Sequence, residues 1–218
     1  MDLWFKVKQF CYSFVFNGLE FVFFFTRYWW WKLQWLLMTR YFNRSGHHIY
    51  EAEFDKAGDL EEKNFSFGET TALTTKLLLD HIPLNPGAMV YDLGSGRGGF
   101  LFSAYFLRGF HGVGVELFQT YIDISNNIRK KMKTASITFR QGNIKDTDLG
   151  GADLIYLPAT TYQEDLVCAV VENIKKTPPG TLVIIVHHQL PEEDFVLFEE
   201  GCYPFSWGTD HVYFYRRK

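Results

Sequence analysis

The stretch VYDLGSGRGGF, residues 90–100, limits the chain more than any other. An apolar run ends at Asp92, and Gly94, Gly96 and Gly99 follow in the order G-x-G-x-x-G before an apolar helical pattern. The stretch reads as a strand, a tight turn and a helix. Glycines at such a turn let backbone N–H groups approach a ligand, in the crevice at the carboxyl ends of the strands. The turn residues Gly94, Ser95, Gly96 and Gly98 are therefore candidate ligand contacts. No Gly-Lys-Ser/Thr follows, so this is not a P-loop.

The same alternation continues on both sides. FGETTALTTKLLLDHI reads as a helix with Thr70 or Thr71 as its N-cap. RGGFLFSAYFLRG reads as a helix ended by Gly109, and FQTYIDISNNIRKKMK as one with its bases at the C-terminal end, where the dipole favours them. AMVYDL, GVGVEL, SITFRQG, ADLIYLP and TLVIIVHH read as strands, and YQEDLVCAVVENIKK as an amphipathic helix. Strands alternating with helices predict an α/β fold, a parallel sheet covered on both faces. FVLFEE and HVYFYRR, joined by a Gly/Pro/Asp-rich stretch, predict an antiparallel hairpin at one edge. No internal repeat is visible. With 218 residues, 47% hydrophobic, the chain can bury one sizeable domain and carry an appendage.

That appendage is residues 1–44. FCYSFVFNGLEFVFFFTRYWWWKLQWLLM is nearly all apolar, interrupted by Asn17, Glu20, Arg27 and Lys32. Six bases against two acids give residues 1–44 about +4, which leaves about −7 on the rest of a chain of net charge −3. The run without a base, Phe10 to Thr26, spans about 25 Å as a helix, short of a hydrocarbon core of about 30 Å. Ser13, Asn17, Glu20, Arg27 and Gln34 fall at helical spacings and predict one polar stripe. The expectation is membrane association, either in the interface plane or across the bilayer as an oligomer with the stripe hidden. The alternatives are a helix capping its own domain or a dimer partner, and a cleaved signal peptide. A polar linker, 45–64, precedes the body at 65–218. Cys11, Cys168 and Cys202 are widely spaced, which predicts buried free thiols and a reducing, cytoplasm-like compartment.

The two acids at the crevice decide between ligands. Asp92 stands at the strand tip, and Glu116 ends the next strand at the distance expected of a ribose-binding acid. Two unit charges 4 Å apart at an effective dielectric of about 20 repel by roughly 4 kcal/mol, so Asp92 opposes a pyrophosphate. S-adenosylmethionine carries an ammonium and a sulfonium and suits both acids. A dinucleotide site and a fold without turnover are the competing readings. Leu117 follows Glu116, and Asn143 and Ile144 follow the third strand, where an amide can bond the adenine edge and Ile144 its face.

VYDLGSGRGG, GVGVEL and RQGNIKD stand in the order of the first motifs of class I S-adenosylmethionine methyltransferases, which the chain resembles from about residue 65 onward. That resemblance implies a Rossmann-like seven-strand sheet, mostly parallel, with an antiparallel C-terminal hairpin and, here, an N-terminal helical segment. FGET also resembles the element before the glycine turn in non-SET histone-lysine methyltransferases. The layout is similar to membrane-anchored protein-lysine methyltransferases of ATP-synthase c-subunits. By that resemblance Phe67, Glu69 and Thr70 cover the methionine end of the cofactor, and the acceptor is a protein lysine. Asn143 stands where the family usually has Asp, and LPATTY at 157–162 replaces the Asn-Pro-Pro-aromatic element of nucleic-acid amino methyltransferases. Without a basic groove, no nucleic-acid partner is expected.

Methyl transfer releases a neutral leaving group and needs no general acid, so the chain shows no triad. Tyr156, Thr160 and Tyr162 are the candidate catalytic residues, expected near the acceptor rim as hydrogen-bond partners of the amine. His187 and His188 end a strand and are expected to point to opposite faces, which predicts no shared metal; His47 and His48 lie in the linker. A small-molecule or lipid methyltransferase, and a membrane-tethered module without turnover, remain the alternatives.

Overall fold

The computed structural model of the chain describes residues 3–39 and 68–218. The linker, with His47 and His48, and Phe67 lie outside the described residues. Two helices come first, α1 (Leu3–Phe24) and α2 (Tyr28–Thr39). The body follows as α3 (Ala72–Leu79), β1 (Met89–Leu93), α4 (Gly99–Arg108), β2 (His111–Glu116), α5 (Gln119–Met132) and β3 (Ile137–Gln141). It ends with β4 (Leu154–Leu157), α6 (Glu164–Ile174), β5 (Leu182–Val186), β6 (Phe195–Phe205) and β7 (Gly208–Arg217). The sheet has seven strands in the order β3-β2-β1-β4-β5-β7-β6; the first five are parallel, and β7 joins β5 antiparallel.

The strand order reverses between β1 and β4, which opens a crevice at their carboxyl ends. One face of the sheet buries Val90, Leu154, Tyr156 and Ile184 against Phe100, Leu101 and Phe102 of α4 and Leu78 of α3. The other buries Leu93, Ile155, Leu157 and Ile185 against Val167, Val170 and Ile174 of α6. Side chains alternate along β1, so Asp92 shares the α4 face with Val90. The helix ends follow local chemistry. Thr71 caps α3, accepting from the Thr74 N–H, and Gly109 takes the left-handed turn after α4 at φ 69°.

Three expectations are corrected here. The Gly/Pro/Asp-rich stretch does not interrupt the final hairpin: β6 and β7 run through it, with a slip at Leu197/Glu199, and only Ser206 and Trp207 form the turn. Cys168 and Cys202 are exposed free thiols, because each faces outward from an amphipathic element. The polar stripe does not exist, because the helix breaks between Phe24 and Tyr28. Asn17 is exposed, whereas Glu20 turns inward and is buried.

Glu20 shows how the first helices are held. Its Oε1 accepts from Trp30 Nε1 of α2 at 3.1 Å and from the Ala72 N–H at the start of α3 at 3.1 Å. One carboxylate thus joins α1, α2 and an orphan donor of α3. Phe16, Phe24 and Trp30 pack with Ala72 and Leu73 around it, and Tyr12 donates to the carbonyls of Phe205 and Gly208. Glu20→Ala leaves two buried N–H groups unpaired, and the expected loss is about 2–4 kcal/mol. Glu20→Gln keeps an acceptor oxygen and is expected to stay close to the native protein; thermal denaturation of both variants checks the contrast. Among the described residues no helix is long and apolar enough to cross a membrane.

Candidate functional site

Asp92 pairs in register with Gly114 of β2 and Tyr156 of β4, so its carboxyl lies between a bare backbone and a phenol. It is 2% exposed. Burial pushes its pKa well up, the negative Glu116 adds to this, and no hydrogen bond or cation among the described residues offsets them. Glu116 is buried as well, and burial raises it despite hydrogen bonds from backbone N–H groups. Its Oε2 accepts from Gly96 N at 2.9 Å and its Oε1 from Phe118 N at 3.0 Å. Those bonds orient the carboxylate and leave each oxygen a further lone pair.

The glycine turn is folded against β2. The N–H groups of Gly94 and Ser95 both donate to the Val115 carbonyl, and Gly98 N donates to Ser95 O. Gly94, at φ 93°, lies directly beneath the Tyr162 hydroxyl. Gly98 occupies the left-handed region at φ 83° and abuts the Phe139 ring, so the turn accepts a side chain at neither position.

Above the turn sits the segment that opens α3. The Thr70 carbonyl packs on Gly99, and Thr70 Oγ1 meets Tyr156 Oη at 2.6 Å. Glu69 is held from two sides. Its carboxylate forms a two-pronged pair with Nε and Nη2 of Arg97, and its N–H donates to Ser206 Oγ at 3.0 Å. Trp207 lies against Gly68 and stacks on Phe205 at 4.4 Å. Thr74 Oγ1 donates to the Pro204 carbonyl at 2.6 Å. The tip of the β6–β7 hairpin therefore clasps residues 68–74 over the crevice. Ser206, Trp207 and Arg97 had no local sequence signal for this role, since their partners lie far away in the chain.

The candidate catalytic residues separate in depth. Tyr156 is not at the rim: it is 1% exposed and stacked on Phe100 at 4.0 Å, because its strand is covered on both faces. Tyr162 is half-buried against the turn. Burial raises both phenols far above the ordinary range, so both stay protonated hydroxyls. Thr160 Oγ1 is buried and has no hydrogen-bond partner among the described residues. Asn143 is exposed and accepts from Lys145 N, Ile144 beside it is buried, and the Leu117 carbonyl accepts from Gln141 Nε2.

β5 ends at Val186, so the histidines after it do not take opposite faces of a strand. His187 adopts φ 77° and its ring lies 5.3 Å from that of His188. His187 Nδ1 meets Asp210 Oδ1 at 3.2 Å. The charge of Asp210 is felt at Tyr156, so this pair lies on the same side of the sheet's carboxyl edge as that phenol. Among the described residues no group of three His, Cys, Asp or Glu is placed to hold a metal.

The chain matches no model of a known protein family. Its fold is similar to that of TrmN from Thermus thermophilus, with a TM-score of 0.60 and 16% identity over 68% of this chain and 49% of that one. The chain thus spans about half the length of TrmN. An RNA methyltransferase from Salinibacter ruber, solved with S-adenosyl-L-homocysteine, gives 0.52 at 24% identity over 68% of this chain and 93% of that one. A geranyl diphosphate C-methyltransferase from Streptomyces coelicolor A3(2), also holding S-adenosyl-L-homocysteine, gives 0.56 at 14% identity over 67% and 76%. At these identities the likeness carries the architecture and not the substrate. The chain has the Rossmann-like seven-strand fold of methyltransferases.

Proposed function

We propose that this protein is an S-adenosylmethionine-dependent N-methyltransferase acting on a lysine side chain of a protein. One observation carries the reading: two buried carboxyl groups, Asp92 and Glu116, face the glycine turn with no cation among the described residues to offset Asp92. A phosphate there would be a third negative group. A donor with an ammonium and a sulfonium would relieve the charge of these two acids.

The residues present fit that donor. Asp92 would hold its ammonium, Glu116 its ribose hydroxyls through the lone pairs left free, and Asn143 and Ile144 the adenine. Gly94 and Gly96 leave the backbone bare beside it, and Thr70 with Glu69 closes the site from above. The donor supplies an electrophilic methyl group with a neutral leaving group, so the protein's task is to orient and to exclude water. Tyr162 gives the acceptor slot an aromatic wall that lowers an amine's pKa by desolvation. Thr160 Oγ1 is free to accept an N–H from that amine. The carboxylate of Asp210 draws a cationic side chain, and the His187 ring beside it can take up the proton that the ammonium must lose.

Radiolabelled donor added with the purified protein to whole extract, then divided into protein, lipid and nucleic-acid fractions, tests the reading. Label in protein, recovered as methyl-lysine after hydrolysis, is expected. Label in the lipid fraction would replace it with a lipid methyltransferase, which the apolar face of α1 and α2 favours. Label in nucleic acid would align the protein with the RNA enzyme named above. Calorimetry showing no donor binding would leave a tethered module without turnover.

A further inference from the structure

The inward face of α1 and α2 is spent on the body, through Phe16, Glu20, Phe24, Trp30, Leu33 and Leu36. The outward face is almost wholly apolar. Leu19, Val22, Phe23, Tyr28, Trp35 and Met38 are each about half or more exposed, with Val22 at 65%, Tyr28 at 77% and Trp35 at 61%. Nine of the thirteen large exposed hydrophobic side chains among the described residues belong to these two helices, and a tenth, Phe25, lies in the break between them. A patch of that kind is an interaction surface rather than ordinary scatter.

We propose that this face docks in the plane of a bilayer containing anionic lipid, with both helices lying in the interface and neither crossing it. Three observations select lipid over another occupant. The first is the pairing of the polar groups at the break. Arg27 N donates to Phe24 O at 2.8 Å and Trp30 N to Arg27 O at 3.0 Å, while Trp31 Nε1 caps the Phe25 carbonyl at 2.7 Å. A turn lying against acyl chains is favoured when its backbone groups are paired within the protein, as those of Phe24, Phe25 and Arg27 are. The second is charge. Arg27 is exposed at the break and Lys32 is half-buried on α2, where long stems let the charged ends reach phosphates. Residues 1–44 carry about +4 on a chain of net −3, so this segment is attracted to an anionic surface while the acidic body is not. The third is composition: the exposed Tyr28, Trp31 and Trp35 are the side chains that settle at the headgroup boundary. The inward clasp at Glu20 keeps α1 and α2 on the body, so docking holds the whole domain at the surface.

The full chain mixed with vesicles of phosphatidylcholine, with and without phosphatidylglycerol, tests this by flotation. Binding is expected to both, stronger by about tenfold on the anionic vesicles and weakened by salt. Emission of the native tryptophans should be quenched by lipids brominated on the acyl chains. Val22→Glu/Trp35→Glu/Met38→Glu changes only exposed positions and is expected to lower binding at least tenfold, with methyl-donor affinity unchanged. Asp92→Asn is expected to bind vesicles as the native chain does, which separates this proposal from the chemistry. A chain that stays in the buffer with both vesicle types would overturn it. So would undiminished binding by the triple variant, or a dimer in sedimentation whose contact hides this face while vesicles are ignored.

Discussion

Replacing Asp92 by Asn is expected to stabilise the free protein while removing most of its affinity for the methyl donor. In the apo state the carboxyl is buried and sits near the negative Glu116, and both influences raise its pKa above the ordinary value. The sign of the stability effect follows. A group whose folded pKa exceeds its unfolded value contributes stability that is fully present below the unfolded value, about 3.9 for Asp, and lost as pH rises through the folded one. At neutral pH the native chain therefore bears the cost of keeping or neutralising this acid, and Asn bears none. The gain should be about 1–3 kcal/mol, or several degrees in Tm for a chain of this size. Below about pH 4 the two proteins should converge, since the carboxyl is neutral in both folded and unfolded chains. Donor binding should fall by about 100-fold, the scale of one lost charge-assisted hydrogen bond to a buried group. At saturating donor the gap in stability closes or reverses, because binding stabilises the native chain by up to about 2.7 kcal/mol more than the variant. Differential scanning of both proteins from pH 4 to 8, with and without donor, reads all of these outcomes. An Asn variant less stable than the native chain at pH 7 would mean that Asp92 holds the fold together and does not wait for a cation.

The conflict at Asp92 is legible from residues alone. An acid at the end of an apolar strand, just before a glycine turn, breaks the local pattern, and the proposed donor site would account for it. The strands and helices around it were legible for the same local reason. AMVYDL and GVGVEL carry β-branched runs bounded by glycine, and the Lys and Arg of FQTYIDISNNIRKKMK gather in its last turn. What stayed hidden depends on distant partners. Nothing near Glu20 says that its oxygen meets Ala72, and nothing near Tyr12 says that its hydroxyl reaches Gly208. Read as one unbroken helix, the N-terminal segment yields a polar stripe; the break at residues 25–27 takes Arg27 and Gln34 off it, and within α1 the packing on α2 and α3 turns Glu20 inward while Asn17 stays exposed. Tyr156 looked like a rim residue because its strand ends nearby, but a strand covered on both faces puts alternate side chains at full depth. The clasp of the hairpin tip over Glu69 and Thr74 was equally out of reach, because the turn is only two residues and its neighbours read as loop.

Gly94→Ala is expected to be strongly destabilising, and a second substitution should repair much of it. Gly94 adopts φ 93°, where any side chain strains the backbone, and a β-carbon there would overlap the Tyr162 hydroxyl. The backbone share alone is about 1–2 kcal/mol. Gly87 isolates that share, since it has φ 91° with open space around it, and Gly87→Ala should cost only this much. The overlap at Gly94 adds to it, because Tyr162 packs against the core cluster that includes Leu93 and Val167 and must shift within it; the total should be about 3–5 kcal/mol with donor binding lost. Tyr162→Phe removes the oxygen and leaves ring carbon Cζ as the nearest atom at 3.5 Å, an ordinary contact. In the double variant the overlap therefore disappears and the backbone strain stays. A double-mutant cycle by urea denaturation should show a favourable coupling of about 1–3 kcal/mol between the two sites. If Gly94→Ala costs no more than Gly87→Ala, or if Tyr162→Phe fails to rescue it, then Tyr162 does not lie over the turn in solution. The phenol would then have no place beside the methyl donor.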